Sequence, residues 1–267
     1  MPPSARLLYL TKKNCTSLGK FPHLREHLEQ FRAIMEERRE TKNGTIEWFH
    51  LHWPRNPNLF EGHHLLFPSM FTRPTAAAVE GPAYVGIGSN VVIGNSVKAD
   101  VGFLACLLNS NLSTFWWSEN AKQRGAGYDV GVDRLRNFPL PLGTTTDRSS
   151  QITKSVATVV GYISDQSERR TADQKTRDPL MLAYFEQILN GLVYELYFPD
   201  EVHGAGLPLF DLVEAANPPA LDAIPEPQRL PRLRQLFETL HDGTHPLKIA
   251  LQKLQTLDTI RIIEGKA

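Results

Sequence analysis

The stretch FPLPLGTTTDRSS, residues 138 to 150, does most to restrict what this chain can fold into. Its alternating prolines lead into a polar run without hydrophobic period, as a domain boundary or linker does. The chain is therefore read as two parts, residues 1 to 142 and residues 143 to 267, with the boundary near residue 143. A length of 267 residues suffices for one large or two ordinary domains, and 41% hydrophobic residues make a real core the expectation.

Ahead of the boundary the hydrophobic period changes repeatedly. In FPHLREHLEQFRAIMEERRE, Leu24, Leu28, Phe31 and Met35 recur at helical spacing, which predicts one amphipathic helix ending near Asn43-Gly44. TIEWFHLHW alternates in the manner of a strand, HHLLFPSMF is a second short apolar run, and AYVGIGSNVVIGNS reads as two strands joined by a Gly-Ser-Asn turn. ADVGFLACLLNSNLSTFWW predicts a largely buried helix, and GVDRLRNFPLP a strand or extended edge that stops at Pro139. Behind the boundary the period is helical, over 151 to 167, 180 to 198, 207 to 215, 229 to 241 and 246 to 257. The expected class is α+β: a mixed β-sheet with packed helices, followed by a mainly helical C-terminal region.

Cys15 and Cys106 lie far apart, Cys106 inside an apolar run, which suits a reducing compartment better than a disulfide framework. No apolar stretch approaches the roughly 20 residues that cross a bilayer, and the region after Met1 lacks a signal-peptide pattern. The cytoplasm is the expected location, with no membrane partner. Net charge is zero, but residues 1 to 141 carry +4 and residues 142 to 267 carry −4, and six of the nine histidines fall in the first part. The front part thus has a mild electrostatic footprint for phosphate.

Fragments that look catalytic do not hold together. Asn217-Pro218-Pro219 matches the loop by which amino-methylating enzymes hold a target base, but Ala220 stands where the stacking aromatic belongs, so a structural turn is expected. Gly86-x-Gly88 lacks the third glycine, the helix and the acidic residue of a nucleotide site. His50-x-His52 and His63-His64 have no companion ligands at metal spacing. No catalytic residue, cofactor site or metal site is assigned to this chain.

Cations and aromatics at element ends remain: Trp53, Arg55 and Arg73, with Lys122, Arg124 and Tyr128 in the glycine-flexed segment NAKQRGAGYD. Arginine bonds bidentately to guanine edges or phosphate, and glycine lets backbone N–H groups approach phosphates, so the cluster fits duplex DNA. Singly, each cation reads equally well as a solvated loop residue or as one packed on an aromatic.

The series FPHLREHLEQFRAIMEERRE, WFHLHWPRNPNLFEGHHLLFP, FLACLLNSNLSTFWW and KQRGAGYDVGVDRLRNFPLP resembles, in order and spacing, the TaqI-like C-terminal specificity domain of adenine-specific DNA methyltransferases and fused restriction-modification enzymes. It covers roughly residues 20 to 142, and the tail with LNGLVYELYFPDEVH is similar to the extension that often follows that domain. The resemblance implies a target recognition domain that reads a short duplex sequence and positions it for a methyltransferase or endonuclease catalytic domain. S-adenosylmethionine is then expected only in that partner, and this chain is a separate subunit, a split gene product or a fragment. Carried over, the Trp-Pro-Arg stretch falls on Trp53, Pro54 and Arg55, the Leu-Asn-Ser on Leu108, Asn109 and Ser110, and the basic glycine loop on Lys122, Arg124, Gly125 and Tyr128. His64 stands where relatives often have lysine, which weakens any phosphate contact there. The expected DNA-binding set is Trp53, Arg55, His64, Arg73, Lys122, Arg124, Gly125 and Tyr128. Asn109 is expected to bond a neighbouring backbone rather than a base. A competing reading makes the chain a docking subunit that holds a methyltransferase or nuclease without reading DNA, and a diverged enzyme is a third.

Overall fold

A computed structural model describes residues 7–86, 88–93, 101–141, 158–159, 161–163 and 178–266. It divides into two compact units, Met1–Phe60 and Glu61–Ala267. The expected boundary near residue 143 and most of the expected helix over 151 to 167 lie outside the described residues.

The first unit closes on Cys15, Leu18, Leu28 and Phe49, with Leu10, Leu24, Met35 and Trp48 against them. The single helix expected here is instead three short ones, α1 (Pro22–Glu29), α2 (Arg32–Glu36) and α3 (Arg39–Lys42). Arg38 breaks the run: its backbone is extended, and its guanidinium donates to the carbonyls of Met35, at 3.0 Å, and of Trp48. An arginine side chain bonded back to a last-turn carbonyl favours ending the helix over continuing it. The strand expected in TIEWFHLHW is a series of turns, because no neighbouring strand pairs with it; His50 N–H bonds Glu47 O at 3.0 Å, and the His50 ring accepts from Glu47 N. Alternation alone does not make a strand when backbone groups find local partners.

The second unit has strands β1 (His64–Pro68), β2 (Met70–Phe71), β3 (Ala77–Val79), β4 (Ser89–Ile93), β5 (Lys122–Arg124) and β6 (Gly127–Asp129). They form two three-stranded sheets in the orders β3-β1-β4 and β2-β6-β5. Among the described residues pairing is antiparallel, so the α+β class holds while the expected mixed sheet is seen as two small antiparallel ones. The Gly-Ser-Asn hairpin is not formed: Ser89 and Asn90 lie within β4, opposite Pro68 and Phe67 of β1.

The predicted buried helix is two, α4 (Val101–Asn109) and α5 (Asn111–Asn120), divided where Ser110 Oγ accepts from Ser113 N at 3.1 Å as an N-cap. Asn109 does bond backbone, accepting from Ala76 N at 2.6 Å and donating to Ala76 O at 2.8 Å. GVDRLR, expected as a strand, is the helix α6 (Val132–Arg136), opened by an extended Gly131 whose carbonyl accepts from Leu135 N.

The C-terminal region is helical, as expected: α7 (Pro179–Tyr197), α8 (Pro199–Gly204), α9 (Leu209–Ala215), α10 (Glu226–His241), α11 (Pro246–Leu254) and α12 (Asp258–Ile263). Asp178 caps α7 through Met181 N at 3.1 Å, and Pro179 takes the position that needs no N–H donor. Met181, Phe185, Ile188 and Leu192 line its buried face at helical spacing. Val193 of the same helix joins the cluster of Leu65, Phe67, Leu104 and Trp117, so sheet and helical regions share one long helix. Phenols stitch this region together: Tyr184 donates to Leu240 O at 2.6 Å, Tyr197 to Pro139 O at 2.7 Å, and Tyr162 to Pro219 O. Burial pushes the Tyr184 phenol up to about 12 and raises Tyr162 and Tyr197 as well, so all three stay protonated donors at neutral pH. Asn217-Pro218-Pro219 is the turn expected, with Asn217 in the left-handed region at φ 44° behind α9.

Candidate functional site

The segment NAKQRGAGYD, read from sequence as a glycine-flexed loop, is the β5–β6 hairpin. Lys122 lies opposite Asp129, Gln123 opposite Tyr128 and Arg124 opposite Gly127, so the turn is Gly125-Ala126. Gly125 takes φ +61° at the first turn position, the place that tight hairpin turns give to glycine. The local reason for a strand is distant in sequence. Strand β6 pairs with β2, Tyr128 opposite Phe71 and Met70 opposite Asp129, which leaves β5 at the sheet edge with Lys122, Gln123 and Arg124 exposed.

Two contacts seat the hairpin. Tyr128 packs on Phe71 at 6.2 Å between ring centres, and Phe71 in turn packs on Phe67 and Trp117. Tyr128 therefore closes the hairpin onto the core. At Gly127 the backbone of Phe71 passes so close that an added Cβ would lie 2.7 Å from Phe71 O. Gly127→Val is expected to unseat β6 from β2 at a cost on the order of 1–3 kcal/mol; amide exchange at Tyr128 measures it, and unchanged protection there would refute the assignment.

The charges are arranged around one carboxylate. Arg124 Nη1 lies 3.3 Å from Asp129 Oδ2, and Asp129 is also the cross-strand neighbour of Lys122. Both cations are exposed, so the Asp129 contact orients the guanidinium more than it stabilises the fold. Sequence reasoning missed a third cation. Arg134, on α6, donates from Nη1 to Asn120 O at 2.8 Å, which brings its guanidinium to the end of α5 and the base of the hairpin. Its signal, a basic residue in VDRLR, was hidden by reading that stretch as a strand. Arg136 on the same helix pairs with Asp133 at 3.3 Å.

The other expected residues are dispersed. Arg73 lies on the loop after β2, 3.8 Å from Glu186 of α7, and lines a cavity of about 440 Å³ with Asn109 and Asn190. His64 is fully buried in β1, its Nδ1 3.1 Å from Gly62 O, so it is not placed to meet a surface ligand. Its strand explains the burial: Leu65 and Phe67 of β1 are in the core, and β1 is flanked on both edges by β3 and β4. Trp53 and Arg55 belong to the first unit. Trp53 is 71% exposed beside His52, and the backbone carbonyl of Arg55 accepts from the Tyr9 hydroxyl.

The paired histidines do not converge. His50 is buried and its Nε2 meets Cys15 O at 2.7 Å, whereas His52 pairs with Glu40. Among the described residues no group of three or more His, Cys, Asp or Glu is placed to hold a metal ion, and no helix is long and apolar enough to cross a membrane. Both cysteines are buried, and no disulfide joins them. Compared with known proteins, the chain matches no protein-family model and no curated sequence.

Proposed function

We propose that the chain is a sequence-reading duplex DNA-binding module of a restriction-modification system, non-catalytic by itself. A separate adenine methyltransferase or endonuclease domain then brings S-adenosylmethionine and the chemistry. The observation that carries this reading is the β5–β6 hairpin: an exposed edge strand bearing Lys122 and Arg124, with Arg134 at its base, anchored to an aromatic core through Tyr128. A two-stranded ribbon fits the major groove, where an arginine donates two hydrogen bonds to one guanine and a lysine meets phosphate as a point charge. Asp129 holds Arg124 in the free protein, and the exposed Arg124 guanidinium can exchange that contact for a base edge.

The test is selection from a pool of random duplex DNA at two salt concentrations, followed by sequencing of the bound fraction. The expected result is one enriched short motif. Arg124→Ala should lower affinity for that motif by about 1–3 kcal/mol and relax preference at one position. Full affinity in a folded Arg124→Ala variant would remove the hairpin from the interface. Absence of any enrichment would favour a docking subunit that does not read DNA.

A further inference from the structure

We infer that the first unit carries a second, sequence-independent contact to duplex DNA, made by Lys12, Lys13 and Lys20. This rests on the proposed DNA-binding function but on different residues in a different compact unit.

The argument is the sorting of charge. From Leu7 to Arg25 the chain has four cations, Lys12, Lys13, Lys20 and Arg25, and no carboxylate. All four side chains are exposed, and none has an ion-pair partner among the described residues. The remaining cations of α1 to α3 are treated differently. Arg32 bonds Glu29 at 2.9 Å and Glu36 at 2.7 Å, Arg39 bonds Glu40 at 2.7 Å, Lys42 bonds Glu37 at 2.5 Å, and the guanidinium of Arg38 is spent on backbone carbonyls. From Arg32 to Lys42 every cation is neutralised or used internally, while the segment up to Arg25 keeps its charge unopposed.

That segment is also held in place. Lys12 and Lys13 sit in a turn closed by Cys15 N to Thr11 O at 3.0 Å and by Asn14, whose side chain accepts from Thr11 N and donates to Tyr9 O at 2.7 Å each. Lys20 ends a single helical turn, Leu18–Lys20, capped by Ser17 Oγ through Gly19 N. Cys15 and Leu18, between the lysines, are buried in the same small cluster, so both turns are pinned to one core with their lysines outward. Unopposed cations on a fixed surface suit a dense polyanion: a duplex presents one negative charge per about 1.7 Å of axis, and each neutralised phosphate releases condensed counterions. Lysines carry no base code here, so the contact adds affinity without specificity.

The experiment compares the full chain with a Lys12→Gln/Lys13→Gln/Lys20→Gln variant and with an Arg39→Gln/Lys42→Gln control that removes only neutralised cations. Thermal unfolding confirms that each is folded, and affinity for the selected duplex is measured across a salt series. Because the triple variant no longer neutralises three phosphates, its slope of log affinity against log salt should fall in magnitude by about 2 to 3, while the enriched motif stays the same. The control should leave the slope nearly unchanged. An unchanged slope in the folded triple variant overturns this inference and leaves the hairpin reading standing. An equal drop in the control overturns it too, by making bulk charge the cause. If the wild-type chain binds no duplex at any salt, the DNA-binding reading itself fails and this contact with it.

Discussion

Trp117→Ala is expected to lower the unfolding free energy by about 3–5 kcal/mol, the range for deleting a fully buried large aromatic. Trp117 of α5 has no exposed surface and lies among Phe67, Phe71, Trp116 and Phe138, with the Phe138 ring stacked on it at 5.6 Å. The truncation would leave a cavity beneath β2, the strand on which the hairpin is seated, so local protection of the hairpin should fall with global stability. Trp117→Phe should cost much less. The indole Nε1–H has no hydrogen-bond partner among the described residues, and removing a buried unpaired donor returns about 1–3 kcal/mol against the reduced packing. Urea unfolding of both variants decides the matter. A Trp117→Phe loss as large as that of Trp117→Ala would overturn this account, because neither the retained ring nor the removed donor would then count.

A comparable loss, about 3–5 kcal/mol, is expected for Glu195→Ala in the helical region. Glu195 is 2% exposed; its Oε1 meets His203 Nε2 at 2.6 Å, and its Oε2 accepts from Phe210 N at 2.8 Å. One carboxylate of α7 thereby fixes α8 through a side chain and the start of α9 through an otherwise orphaned backbone donor. Alanine would strand that donor in a dry site. Glutamine keeps an oxygen for Phe210 and an amide for His203, so Glu195→Gln should retain more than half of the lost stability. An unfolding free energy for Glu195→Ala, measured in urea, within about 1 kcal/mol of wild type would show that burial, not these bonds, joins the three helices.

The two variants probe different sides of α7, which serves both neighbourhoods. Val193 lies in the aromatic cluster around Trp117, and Asn190 accepts from Asn111 N at 2.7 Å at the start of α5. The regions on either side of the proline-rich stretch therefore belong to one packed unit. Destabilising the helical side should be felt at the sheet that bears the hairpin.

Much of the helical region was legible because its information is local. The bounds of α7 follow from Asp178 and Pro179 at its start and from apolar residues at helical spacing, each a property of neighbours within a few positions. The sheets were less legible. In β5, Lys122, Gln123 and Arg124 have neither alternation nor β-branching, and they are a strand only because β6 pairs with β2, Phe71 opposite Tyr128 and Met70 opposite Asp129, far earlier in the chain. TIEWFHLHW shows the reverse: it alternates, but its backbone forms turns, with a bond from Leu51 N to Leu10 O, and no strand forms. The same limit applies to the candidate site. Lys122 and Arg124 were identifiable as basic residues beside glycine, whereas the burial of His64 and the arrival of Arg134 at the hairpin base depend on which elements pack together.

The sequence by itself determined the α+β class, the helical C-terminal region and the basic, glycine-containing character of NAKQRGAGYD. Tertiary structure alone decided that the segment is a seated hairpin, that Asp129 sits between its cations, and that Gly127 must lack a side chain against Phe71. The physical reason is range. Helix periodicity and capping are set within one or two turns, while edge strands, buried polar residues and close backbone approaches are set by partners that only folding brings near.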